Sequence, residues 1–194
     1  MMRFRVYLLA GLLLGVCGQA FGQCLIAFDE YDKFDSTRVV GAPAVPIGLL
    51  IPSKVETIDG PKFIEEAKVM FSYATSPDSL VSFFLVLATQ EYDYLKIDAG
   101  TNIQVALADS SVFALHHLSD RGEFDKSTNM RRYEHMCIIP INDFYTLARS
   151  AITDIRIVYQ DRKKIIILNE EQGEALRKSI ECVGLVVGVY PLKP

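Results

Sequence analysis

From Ala67 to Ile141 the chain alternates apolar and polar residues or runs in short apolar blocks, and after Asn169 the spacing becomes helical. "AKVMFSYATS" and "SLVSFFLVLATQ" are rich in aromatic and β-branched residues, which predicts two strands, and "SPDS" between them is turn chemistry. "NIQVALADSSVFALHHL" predicts a hairpin closed by Asp109-Ser110, with Val105, Leu107, Val112 and Ala114 near its tip. "RGEFDKSTNMRR" is polar and aperiodic and predicts a mobile surface loop, after which "YEHMCIIPI" returns to strand. "AITDIRIVYQDRKKIIIL" alternates through Ile155, Ile157 and Tyr159, turns at "QDRK" and comes back.

Two helix starts interrupt this β pattern. Asn142 precedes "DFYTLARS", a short helix. Asn169 precedes "EEQGEALRKSIECV", with Gln172 three residues later as a capping box requires. Ala175, Leu176, Ser179, Ile180 and Val183 form the apolar stripe of that helix, while its Glu, Arg and Lys residues face water. The terminal "GLVVGVYPLKP" predicts one more extended piece.

Upstream, "CLIAFDEYDKFDSTRVV" predicts a strand, an acidic turn and a second strand. "GAPAVPIGLLIPS" carries Pro43, Pro46 and Pro52, which exclude a helix and a long central strand and leave an edge or connecting segment. The expected fold is α+β and mostly antiparallel β. It is a sheet or sandwich with one short helix and a C-terminal helix packed on it. Ile155, Ile157, Leu176 and Val183 are then among its most buried residues.

The N-terminus changes the picture from fold to address. "MMRFRVYLLAGLLLGVCGQAFGQC" places Arg3 and Arg5 before an apolar run, with small residues at Ala20 and Gly22. This is the layout of a secretory signal peptide over residues 1–22, and the run is shorter than the roughly 20 residues that span a bilayer. Residues 23–194 then form a single β-rich domain without a transmembrane helix. The expected location is the periplasm or the medium. An outer-membrane lipoprotein lipidated at Cys17 or Cys24 is the alternative, although Val16 and Gln23 precede those cysteines where a lipobox wants Gly or Ala.

Acidic residues number 24 against 20 basic, and no basic stripe appears, which argues against nucleic acid. Removal of Cys17 with the signal leaves Cys24, Cys137 and Cys182, and export permits disulfides. Cys137 lies within an apolar strand and is the expected free thiol. Cys24 and Cys182 lie near element ends and are the expected pair.

Chemistry-bearing residues are few. His135 and Cys137 are two apart, so in a strand they share a face, with a spacing of roughly 7 Å. That is too long for a catalytic dyad, but a His-x-Cys pair can chelate zinc if His116 or His117 joins it from a neighbouring strand. His116 and His117 point to opposite faces, so only one can do so. In the competing reading Cys137 continues an apolar face with Ile139 and Ile141, and His135 sits where that face meets solvent. Asp29, Asp32 and Asp35 fall at intervals of three and lack the alternate spacing and glycine of a calcium loop, so they read as turn residues. There is no Gly-x-Ser-x-Gly, no His-Glu-x-x-His and no phosphate loop. Tyr92 and Tyr94 share a predicted strand face and offer rings to a sugar or peptide.

"CIIPINDFYTLARSAITDIRIVYQDRKKIIILNEEQGEALRKSIECV" resembles the closing cassette of small, uncharacterised secreted proteins of Bacteroidota, and "FDEYDKFDSTRVV" is similar to their Asp-rich first hairpin. The resemblance implies export and a mostly β fold, and brings no activity or site residues. The function expected from these readings is a non-enzymatic exported module that binds a protein, peptide or glycan, or is associated with the envelope. The alternative is a metal-binding protein or hydrolase-type enzyme using His116 or His117, His135 and Cys137.

Overall fold

The computed structural model describes residues 24–75, 78 and 81–190, so the expected signal peptide lies outside the described residues. The strands are β1 (Phe28–Asp32), β2 (Thr37–Gly41), β3 (Val45–Thr57), β4 (Gly60–Thr75), β5 (Val81–Glu91), β6 (Gly100–Leu107), β7 (Val112–His117), β8 (Glu123–Asp125), β9 (Met130–Ile139), β10 (Ile152–Val158) and β11 (Lys163–Ile167). Helix α1 (Ile141–Arg149) joins β9 to β10, and α2 (Glu170–Val187) follows β11. All pairings are antiparallel, in one sheet of order β1-β2-β4-β5-β9-β7-β6-β10-β11, with β3 on β4 and β8 on β9. The fold is α+β, and its strands form one continuous sheet.

That sheet curls until its flanks meet. Gly48 sits in a bulge of β3, and a Cβ there would lie 2.9 Å from the Ile166 side chain of β11, although the two strands do not pair. Helix α2 fills the concave side, touching β2, β3 and β4 on one flank and β10 on the other. Leu176, Ile180 and Val183 are its fully buried aliphatic side chains, facing an interior that includes Val69, Leu85, Ile155 and Ile157. Each such side chain stabilises the fold by about 1.5–3 kcal/mol through apolar burial. Cys24 bonds Cys182 across a Cα separation of 5.1 Å, tying the segment that leads into β1 to α2, and Cys137 is free and buried. Closing a loop of 158 residues removes about 5 kcal/mol of unfolded-state entropy in the chain-entropy picture.

Three local expectations are corrected. The "RGEFDKSTNMRR" segment is an ordered hairpin: β8 pairs β9, Asp125 Oδ1 accepts from Ser127 N at 2.8 Å, and Asn129 takes the left-handed conformation that closes the turn. Helix α1 is capped by Pro140 without a side-chain bond, so Asn142 lies inside the helix. The first part of the expected C-terminal extended piece, Gly184 to Val187, is the last turn of α2, which stops at Gly188 with φ 78°, and residues 191–194 of that piece lie outside the described residues. Val183 and Gly184 are buried there, and the packing of the helix overrides the β preference of "GLVV". The Asn169–Gln172 capping box has both its bonds, and the Pro-rich segment is the edge strand β3.

Replacing Leu176 with Ala should lower unfolding stability by about 2–5 kcal/mol, the range for emptying a large aliphatic site in a packed core. Urea denaturation measures it, and a loss below about 1 kcal/mol would mean that α2 is not clamped in the concavity.

Candidate functional site

The alternation of β9 sends Tyr133, His135, Cys137 and Ile139 to the concave face, and β7 adds Leu115 and His117. His135 and His117 are both 0% exposed. The expectation that His135 meets solvent is therefore corrected. β9 is flanked by β5 and β7 over this stretch, and the curled sheet covers its inward face. Ile141 leaves that face too, since it opens α1 and is exposed.

The structure brings His117 and His135 together, with His117 Nε2 3.3 Å from His135 Nδ1. Cys137 lies opposite His117 in register, but its thiol reaches only the His135 carbonyl, at 3.9 Å. His116 is exposed on the outer face, across the sheet from the other three. Among the described residues no group of three or more His, Cys, Asp or Glu converges to hold a metal ion.

Instead, the imidazoles belong to a buried polar chain. His135 Nε2 is 3.4 Å from Tyr159 Oη and 3.5 Å from Thr89 Oγ1. Tyr159 donates to Glu91 Oε1 at 3.2 Å, and Lys164 Nζ donates to the same oxygen at 3.0 Å. Lys164 also lies 3.4 Å from Glu66 Oε1, and Glu66 Oε2 accepts from Leu49 N in the β3 bulge. An ionised carboxylate only accepts, so Glu91 sets the direction of every bond behind it. Tyr159 Oη–H donates to Glu91, and Tyr159 Oη accepts from His135 Nε2–H. His135 Nδ1 then accepts from His117 Nε2–H. His117 Nδ1 is buried with no hydrogen-bond partner within bonding distance among the described residues.

Burial holds the histidine, cysteine and Tyr159 side chains in neutral forms. The His135 pKa falls to about 3, through loss of solvation first and the adjacent His117 second. Burial lowers His117 as well, pushes the Cys137 thiol up to about 12, and raises Tyr159 with help from the Glu91 charge. The Cys137 thiol is thus protonated and shielded, and the His117 and His135 imidazoles are fully enclosed. Such a chain can fix the alignment of β5, β7, β9, β10 and β11. It lacks an open site at which a base or nucleophile could meet a reactant.

The end of the concavity beyond His135 is closed by two loops. Tyr133 Oη accepts from Leu95 N at 2.6 Å and donates to Leu95 O at 2.8 Å. Gly122, at φ 64°, lies against the Tyr133 ring, where any Cβ would come within 2.6 Å of it. Tyr92 and Tyr94 sit in the loop after β5, not on a strand face. Tyr92 donates to Pro52 O at 2.6 Å, Lys54 lies 6.0 Å over its ring, and Arg131 lies 5.4 Å over the Tyr94 ring. Both rings are partly exposed.

Sequence reading missed Thr89, Glu91, Tyr159, Lys164 and Glu66. A signal for three of them was present. Thr89 and Glu91 continue the inward parity of Phe83, Leu85 and Leu87, and Tyr159 continues that of Ile155 and Ile157. No protein family, curated protein or solved structure matches the chain.

The His135 shift predicts a pH dependence. The folded imidazole stays neutral down to about pH 3, whereas the unfolded one binds a proton near its ordinary value of 6.5. Stability from this group is therefore full above about pH 6.5 and is lost as the pH falls towards 3, by at most about 1.4 kcal/mol per pH unit. Denaturant titrations between about pH 4.5 and 7, above the main carboxylate range, should show a slope in the parent protein that is smaller in His135→Gln. Parallel slopes would remove His135 as the cause.

Proposed function

We propose that this chain is an exported, non-enzymatic module that acts by binding or as a component of the cell envelope. One observation carries the reading: His117, His135, Cys137 and Tyr159 are enclosed and held neutral, so the residues best suited to chemistry cannot reach a substrate. The Cys24–Cys182 bridge supports export, because structural disulfides persist in oxidising compartments. No helix among the described residues is long and apolar enough to cross a membrane. The basic and apolar start of the chain supplies the address, and the resemblance to small secreted proteins of Bacteroidota agrees with it. Function then rests on exposed surface, with a protein, peptide or glycan as ligand.

Expression of the full chain in a Gram-negative host tests this reading. The protein should be recovered from the periplasm or the medium with Gln23 at its N-terminus and Cys24 and Cys182 resistant to alkylation before reduction. An uncleaved cytosolic chain would count against export, and a lipid-modified Cys17 or Cys24 would select the anchored form. Metal analysis of the purified protein separates the alternative. Zinc should be well below one equivalent, and a full equivalent that is lost in His135→Ala would establish a metal-dependent role instead.

A further inference from the structure

On the outer face of the sheet, opposite the helix, two rows of side chains cross four strands in register. One row is Val112, Ala106, Asp154 and Ile167, and the other is Ala114, Gln104, Arg156 and Ile165. Ile155 and Ile157 point inward and are buried, so Asp154 and Arg156 share the outer side of β10, roughly 7 Å apart along the strand. Apart from Gln104 beside Arg156, the neighbours of the two charges in these rows are apolar, with Val112 66%, Ile165 50% and Ile167 70% exposed. Gln104, Ala106, Val112, Asp154, Arg156 and Ile165 line a shallow depression of about 320 Å³. Arg156 donates to Gln104 Oε1 at 3.2 Å, and neither Asp154 nor Arg156 forms an ion pair among the described residues.

We propose that this face docks a second copy of the same chain, outer sheet against outer sheet, through a two-fold axis crossing β10 between Asp154 and Arg156. Charge complementarity selects that occupant. A two-fold in the plane of the interface and perpendicular to the strands reverses the strand direction of the partner and keeps the strand order. It sets Asp154 of each copy against Arg156 of the other, so one cation and one anion on one strand satisfy each other twice. The same operation sets Ile165 against Ile167 and Val112 against Ala114, which makes the whole patch complementary to itself, as an isologous contact must be. Sheets stacked in this way lie about 10 Å apart and within about 30° of alignment. A lone hydrophobic partner would leave both charges unpaired and desolvated, at a cost an opposed pair avoids. An anionic partner would meet Arg156 but be repelled by Asp154.

Charge exchange tests the arrangement in the disulfide-bonded chain, by sedimentation velocity across a concentration series. The parent protein should show a reversible monomer–dimer equilibrium. Asp154→Arg alone and Arg156→Asp alone each place like charges against one another, and should weaken the dimer by about tenfold or more. The double exchange, Asp154→Arg with Arg156→Asp, restores opposite charges under the same axis and should recover the dimer to near the parent level. Circular dichroism and thermal midpoint keep each variant comparable as a folded protein. A parent that stays monomeric throughout overturns the proposal. So do single variants that dimerise as well as the parent, and so does a folded double variant that remains monomeric.

Discussion

The curl of the sheet around α2 is the constraint on which the other features depend. A continuous antiparallel sheet with one apolar face has to bury that face, and here a single helix of 18 residues covers much of it. To surround that helix the strands bend until β3 and β11 approach each other, with Gly48 placed where a side chain would strike Ile166. The Cys24–Cys182 bond fastens the segment that leads into β1 to the helix, so the hairpin of β1 and β2 is tied to the same body as β10. Loosening α2 would release all of these together.

Curling also creates the buried polar chain. In a flat sheet the inward residues of β5, β7 and β10 would be separated by the width of the intervening strands. Once curved, Tyr159 of the β10 end reaches both Glu91 and His135. Lys164 on β11 reaches Glu66 and Glu91 from the opposite flank. An interior with unpaired carboxylates would be costly, and the shared lysine offsets that cost by neutralising them. The outcome is an alignment device that can be satisfied in one arrangement of strands.

Because the inside is occupied by helix, aliphatic side chains and this satisfied chain, interactions with other molecules fall to the outside. The outer face of β6, β7, β10 and β11 carries few of the alternating charges usual on a solvated sheet surface. Asp154 and Arg156 are the exceptions in the two rows that cross it. The exposed tyrosines near Lys54 and Arg131 form a second outward feature at the rim.

Much of the fold was legible in the chain itself. Period-2 alternation located β4 to β7 and β9 to β11, the Asn169–Gln172 pair marked the start of α2, and prolines restricted β3 to an edge. The positions of Cys24, Cys137 and Cys182 pointed to the observed bridge and free thiol. These features depend on contacts within a few residues, or on which face a strand residue occupies, and periodicity records both. The end of α2 was not legible, because Gly184 to Val187 are helical through packing around the buried Gly184 that local preference does not contain. Nor was the depth of His135. Parity placed it with Cys137, but only the strand order and curvature put His117, Tyr159 and Glu91 around it. The distance between side chains on different strands is set by how the whole sheet closes, and no local pattern carries that information.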